Sequence, residues 1–371
     1  MVIFFILNMN SHEKATYMKP TGIVRDGVYL LHDMGEYHPE CPERLEVIYS
    51  MIDSLESDFN FVEIPNREAS LEEIATNHDP RYVNQIFTTA GRTNTFLDPD
   101  TCACAHSWEA ATRAVGGLFN LVDAVIEGRV RNGFAFIRPP GHHAERRRAM
   151  GFCLFNNIAL AARYAITGHK LSRVAIIDWD LHHGNGTQNS FYEENEVLFV
   201  SIHQYPHYPG TGGIREVGQG RGEGHTINIP LAAGAGDDEY LAVFHWLIAP
   251  VLEMYKPELI LVSAGFDAHE QDPLGGMAVT EKGYAQMLQI LMHLAETYSS
   301  GRLILTLEGG YNLTALAESI KEIMSLLCSY NCDTDMEPFQ PSPEKLNGTF
   351  KARLRDVLAM HRKYWPNLSE L

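Results

Sequence analysis

RVAIIDWDLHHGNG, residues 173–186, changes character partway along. Val174 to Ile177 are aliphatic and read as a strand buried on both faces. The next nine positions, 178–186, hold two aspartates, two histidines, an asparagine and two glycines. Open α/β sheets present their ligand sites in this way, on loops that leave the carboxyl ends of core strands. The stretch therefore predicts an α/β fold with a polar site above the sheet.

Working outward, similar short β-rich runs occur at 27–33 (GVYLLHD), 133–143 (GFAFIRPPGHH), 197–203 (VLFVSIH), 225–231 (HTINIPL), 258–267 (ELILVSAGFD) and 302–312 (RLILTLEGGYN). Helical patterns fall between them. Residues 107–128 should form a helix capped by Ser107, and 156–168 one that stops at Gly168. Two more are expected over 237–256 and 280–299. Alternating strands and helices predict a single-domain, mostly parallel sheet flanked by helices. The core should run from about 21 to 330, after an N-terminal tail (1–20). A proline-rich loop (331–348) then leads to a last helix near 349–362, within the C-terminal segment 331–371.

The formal net charge of −18 disfavours direct nucleic-acid binding. It suits cationic substrates, or it simply maintains solubility. No CxxC pair occurs among the six cysteines, which argues against a structural zinc knuckle, and a disulfide framework is not expected in so large a chain. The apolar opening MVIFFIL (1–7) is too short for a signal-peptide core or a membrane span and reads as a tail or edge strand. The expected location is cytoplasmic, with the nucleus left open, and no membrane is expected as a partner.

Polar residues gather where the strands end. Asp180 and His182, two apart, point one oxygen and one nitrogen the same way from extended backbone. Asp267 can add a carboxylate from a second strand end. Such an O, N, O set leaves coordination positions open for a catalytic divalent ion; Zn2+ fits, and Fe2+ or Mn2+ fits as well. The plainer alternative is a hydrogen-bonded polar loop. His142 and His143 follow a Pro-Pro-Gly turn and suit acid/base work near neutrality. Asp178 and Asn185 can fix their tautomers, a carboxylate favouring imidazolium more than an amide does. Tyr311, after two glycines, can steady an oxyanion or merely pack at a strand end. Together these groups point to metal-assisted amide hydrolysis.

HPECPERL (38–45), RPPGHHA (138–144), MGFCLFNN (150–157), DWDLHHGNGTQ (178–188), SAGFDAHEQDPLGG (263–276) and LEGGYN (307–312) resemble the motifs of the zinc-dependent histone deacetylase family. Asn185 and the DPLGG stretch are similar to the class II branch and to bacterial histone deacetylase-like amidohydrolases. The resemblance implies the arginase–deacetylase fold, with Asp180, His182 and Asp267 as zinc ligands. It also implies His143 as acid/base, His142 paired with Asp178, and Tyr311 on the acetyl carbonyl. Gly151, Phe152, Tyr208 and Leu274 would line the acyl-lysine channel. A structural K+ or Na+ would sit near Asp178 and Ser201. Arg44 and Cys153 would lie by an inner acetate cavity, or serve as a buried ion pair and a small core residue.

By the same resemblance, the site would remove acetyl or other acyl groups from lysine in peptides or proteins. Acetylpolyamines are the alternative substrate. Polyamine-selective relatives carry an acidic residue at the position of Leu274, and an apolar residue there favours acyl-lysine. Asp98 or Asp100, in the entrance loop 92–106, can hold substrate backbone amides or form simple Asx turns. A non-catalytic binding module would be expected to lack one of these groups. A two-metal ureohydrolase needs a further aspartate where His183 stands. A homo-oligomer stays open.

Overall fold

The computed structural model describes residues 19–55, 57–329 and 344–369. The expected tail or edge strand at the N-terminus, and most of the proline-rich loop, lie outside these residues. Eight strands form one parallel sheet: β1 (Thr21–Val24), β2 (Phe61–Glu63), β5 (Gly133–Ala135), β6 (Val174–Asp178), β7 (Val197–Gln204), β8 (Thr226–Leu231), β9 (Leu259–Ala264) and β10 (Leu303–Leu307). Between β2 and β5, β3 (Thr95–Asp98) and β4 (Thr101–Ala103) make a separate antiparallel hairpin.

The spatial order is β2-β1-β5-β10-β9-β6-β7-β8. From β6 the chain moves outward to β7 and β8, whereas from β9 it moves the other way to β10. The neighbours β6 and β9 therefore flank a topological switch point, where the crossovers diverge and leave a crevice above the sheet. Register keeps the edge there flush: Asp178 pairs with Ser201 and Ser263, and Leu307 with Ala264. Ile176, Val262 and Leu305 are buried in the central strands, as their continuous apolar runs require.

The helices Ser107–Ile126 and Asn157–His169 pack together, while Glu43–Ser54, Glu281–Tyr298 and Leu313–Ser329 form a second group. The C-terminal helix Gly348–His361 packs on β8 and buries Phe350, Leu354 and Val357 in the main core.

Several local expectations are corrected. The run 27–33 is not a strand: Gly27–Leu31 is a 3-10 turn, with the Asp26 side chain accepting from Val28 N–H, and the strand lies upstream at Thr21–Val24. The cap expected at Ser107 falls on His106, because the Ser107 hydroxyl accepts from Cys104 N–H instead. The helix expected to stop at Gly168 continues to His169 and ends on Lys170 in the left-handed region. The helix over 237–256 contains a π-turn at Phe244–Ile248, beside Pro250, which has no N–H for the regular ladder. The loop expected over 92–106 contains the β3–β4 hairpin.

Candidate active site

Two loops meet at the switch point. The loop after β6 carries Asp180 and His182, the loop after β9 carries Asp267, and all three side chains are buried. Their ligand atoms lie within 4.8 Å of one another, the one such His/Cys/Asp/Glu group among the described residues. His182 Nδ1 is 3.1 Å from Asp180 Oδ1 and 3.0 Å from Asp267 Oδ2. The other carboxylate oxygens are anchored by backbone: Gly309 N–H donates to Asp180 Oδ2 at 2.8 Å, and Leu181 N–H to Asp267 Oδ1 at 2.9 Å. Asp180 is held through both oxygens, His182 N–H also donating to its Oδ1 at 2.8 Å, and Asp267 through Oδ1. A Cβ at position 309 would stand 2.2 Å from Asp267 Oδ2, so only glycine fits there. Two buried carboxylates and an imidazole converging this closely form a donor set that fits one divalent cation.

His142 and His143 lie side by side, ring centres 4.0 Å apart, but with different partners. His142 Nδ1 is 3.0 Å from Asp178 Oδ2. Burial opposes charging His142, yet Asp180, Asp178 and Glu308 outweigh it and hold its pKa well above the ordinary value. His143 Nδ1 meets Asn185 Oδ1 at 2.8 Å. The Asn185 amide is oriented by donating to Glu145 Oε1 at 2.9 Å, so its oxygen must face His143. Burial, reinforced by the neighbouring His142 and His182, keeps the His143 pKa well below normal. One imidazole is therefore held cationic. The other is neutral, with its proton on Nδ1 and a free lone pair on Nε2.

Above these groups opens a cavity of about 270 Å³ lined by Asp100, His143, Gly151, Phe152, His182, His207, Tyr208, Leu274 and Tyr311. Gly151 has φ of +56°, and a Cβ there would press within 2.3 Å of His143. Phe152 N–H donates to Thr101 Oγ1 at 2.9 Å and Gly151 N–H to Asp100 Oδ1 at 3.1 Å, so the β3–β4 hairpin supports this wall. Tyr311 meets Phe152 edge-on at 5.9 Å, and Tyr208 meets His143 at 5.1 Å. Burial raises the Tyr311 pKa well above normal, which keeps its phenol a hydrogen-bond donor.

Asp100 reaches this cavity, whereas Asp98 is taken up by Arg148, whose Nε and guanidinium lie 2.9 and 2.6 Å away. Arg44 takes the buried ion-pair placement. It pairs with Glu40 at 3.1 Å in full burial, and its guanidinium lies 5.0 Å from the Tyr311 ring centre. Cys153 is buried beside Gly151, its thiol 3.2 Å from the Gly151 carbonyl. Ser201 is Asp178's strand neighbour, but its hydroxyl contacts His203 Nδ1 at 3.0 Å.

Sequence reasoning missed four contributors. Glu308 accepts from Gly141 N–H at 2.7 Å, His142 N–H at 3.1 Å and Ser263 hydroxyl at 3.0 Å, fixing the histidine loop from below. Asp272 clamps two loops, accepting from Tyr311 N–H at 2.6 Å and Leu274 N–H at 3.0 Å. His207 stacks on His182 at 5.2 Å. Glu145 orients Asn185. A charged residue within LEGGYN was the available signal for Glu308, and one within DPLGG for Asp272; the other two offered none.

A histone deacetylase domain model matches residues 38–327. A probable deacetylase of Archaeoglobus fulgidus is 38% identical over 358 residues, covering 93% of this chain and 98% of the relative. Histone deacetylase 15 of Arabidopsis thaliana is also 38% identical over 94% of this chain, which spans 63% of that protein. Human histone deacetylase 7 is 35% identical, and this chain spans 42% of its length. The crystal structure of the HDA15 HD domain superposes with a TM-score of 0.86 at 36% identity, covering 94% of this chain and 96% of that one. Fold and sequence agree, and the chain belongs to the histone deacetylase family.

Proposed function

We propose that this chain is a metal-dependent deacylase that removes acetyl or other acyl groups from lysine side chains of peptides or proteins. The observation that carries this reading is the cavity itself. It is a channel with aromatic and apolar walls at Phe152, Tyr208 and Leu274, and its floor holds a buried O, N, O donor set beside a neutral histidine and a phenol. Apolar walls suit the methylene stem of an acylated lysine, which has lost its charge.

Asp180, His182 and Asp267 would hold the cation, Zn2+ in the first instance. When bound, it supplies Lewis acidity toward the amide carbonyl and lowers the pKa of a water. His143 Nε2 takes the proton of the attacking water, with Asn185 holding the ring. His142, kept cationic by Asp178, balances the buried carboxylates. Tyr311 donates a hydrogen bond from its phenol to the oxygen that gains charge as the carbonyl becomes tetrahedral. The proton on His143 then passes to the departing lysine amine, releasing the carboxylic acid. A K+ or Na+ near Asp178 and Ser201 would stiffen the end of β6.

Acetylpolyamines are the competing substrates. Leu274 offers no charge to a distant ammonium, which favours acyl-lysine. Side-by-side kinetics on acetyl-lysine peptides and acetylspermidine with zinc-loaded enzyme test this. A higher kcat/KM for the peptides is expected, and a strong polyamine preference would reverse the assignment.

A further inference from the structure

Arg81, Arg146, Arg147 and Arg148 run against the acidity of a chain whose net charge is −18. They form a strip that begins at the channel mouth. Arg148 binds Asp98 and is close enough to Tyr208, a channel wall, for the two to interact electrostatically. Glu145 N–H donates to the Arg148 carbonyl at 2.9 Å, which folds 145–148 into a tight turn with Arg146 and Arg147 at its tip. Arg147 reaches Asp79 Oδ2 at 2.8 Å, and the Arg146 carbonyl accepts from Asp79 N–H at 2.9 Å. Asp79, Arg81 and Arg147 border a surface cavity of about 230 Å³, closed by Tyr82 and Gln85.

The local carboxylates are already engaged. Asp79 accepts from Arg81 N–H at 2.9 Å as well as from Arg147. Asp98 is held by Arg148, and Glu145 takes the side-chain amides of Asn185 and Asn189 at 2.9 Å each. The side chains of Arg81 and Arg146 form no hydrogen bond or ion pair among the described residues. Arg147 is 75% exposed. The strip therefore presents guanidinium groups with unspent donors, the geometry that binds carboxylates best.

We propose that this strip docks an acidic stretch of the polypeptide that carries the acyl-lysine, with one aspartate or glutamate side chain seated between Arg81 and Arg147. The inference rests on the deacylase reading of the channel. Arg147 adjoins the rim residue Arg148, and extended chain advances roughly 3.3 Å per residue. The acidic residues consequently lie near the acyl-lysine in the substrate chain, on the side of the channel mouth that Arg148 marks. Charge complementarity of this exposed kind acts mainly on encounter and KM and is screened by salt.

Two acetyl-lysine peptides test it, alike except for Asp and Glu against Ser and Gln near the lysine. Both kcat/KM and, by fluorescence anisotropy, Kd are read at low salt and at about 0.5 M salt. The acidic peptide is expected to be favoured about fivefold or more at low salt, through KM. That preference should fall toward unity at high salt and in the double variant R81Q/R147Q. Equal affinities at low salt, or a preference for the neutral peptide, overturn the proposal. The salt dependence of the wild-type protein decides the matter even where the variant folds poorly. Because Kd is read without turnover, loss of deacylation with a retained acidic preference counts against the catalytic reading alone.

Discussion

Asn185 presents its Oδ1 to Nδ1 of His143 at 2.8 Å, while the neighbouring His142 faces a carboxylate. An amide in one position and an acid in the other separates two adjacent imidazoles into a base and a cation. Replacing Asn185 with alanine leaves His143 free to rotate away. Misplacement of this kind costs about a hundredfold. Steady-state kinetics of Asn185→Ala should show that loss in kcat, with peptide KM and bound metal unchanged. An unaltered kcat would remove Asn185 from the mechanism.

Tyr311→Phe deletes the donor that the proposed mechanism directs at the developing oxyanion, without altering the O, N, O group. Loss of one such donor lowers kcat by about 10²–10³. Metal content, read by elemental analysis, should stay at the wild-type level. Near-normal turnover would show that the phenol is not part of the chemistry.

Glu40 is buried between Arg138 and Arg44, pairing with Arg138 at 2.7 Å and with Arg44 at 3.1 Å. Burial alone would raise its pKa, but Arg138 foremost, with His32 and Arg44 beside it, brings it down to about 2. Glu40→Ala leaves two buried cations short of their counter-ion, a loss on the order of 3–5 kcal/mol. Urea unfolding should show a midpoint lowered to match. A change below 1 kcal/mol, roughly the worth of a surface pair, would mean that Glu40 does not hold these arginines.

His78 sets a pH dependence of stability. Its Nε2 accepts from Asn156 N–H at 2.9 Å and its Nδ1 sits 3.0 Å from the Glu145 carbonyl, so the buried ring is neutral. Burial brings its pKa down to about 4 from 6.5. A folded-state value below the unfolded one means that the unfolded chain takes up the proton first as pH falls. The contribution is complete above pH 6.5 and is lost between 6.5 and about 4, amounting to about 3 kcal/mol. Chemical denaturation across that window should give a shallower pH slope for His78→Gln than for wild type. Equal slopes would refute this role.

Much of this was legible in the sequence, for a physical reason. Parallel strands buried on both faces are nearly pure aliphatic runs, so 174–177, 259–264 and 303–307 declare themselves, and the polar residues after them mark the sheet edge. Asp180, His182 and Asp267 share that edge because β6 and β9 are neighbours, a pairing the sequence pattern suggests only through the chemistry of the donors. The 3-10 turn at Gly27–Leu31 was misread because an apolar run of five residues satisfies either geometry, and the Asp26 cap decided it. Glu308 and Asp272 stand inside recognisable motifs, but their roles rest on long-range partners, the N–H groups of Gly141 and His142 for Glu308 and of Tyr311 for Asp272, which a one-dimensional pattern does not show. The arginine strip was masked by the overall negative charge, which says nothing about where the few cations gather.

The most direct test of the central claim is a titration of metal-free enzyme with Zn2+, following both bound metal and acetate release from an acetyl-lysine peptide. Activity should rise in step with occupancy and level off at one equivalent per chain, and Asp267→Asn should lose both. Turnover without bound metal, or a requirement for two equivalents, would contradict a single-cation deacylase built on Asp180, His182 and Asp267.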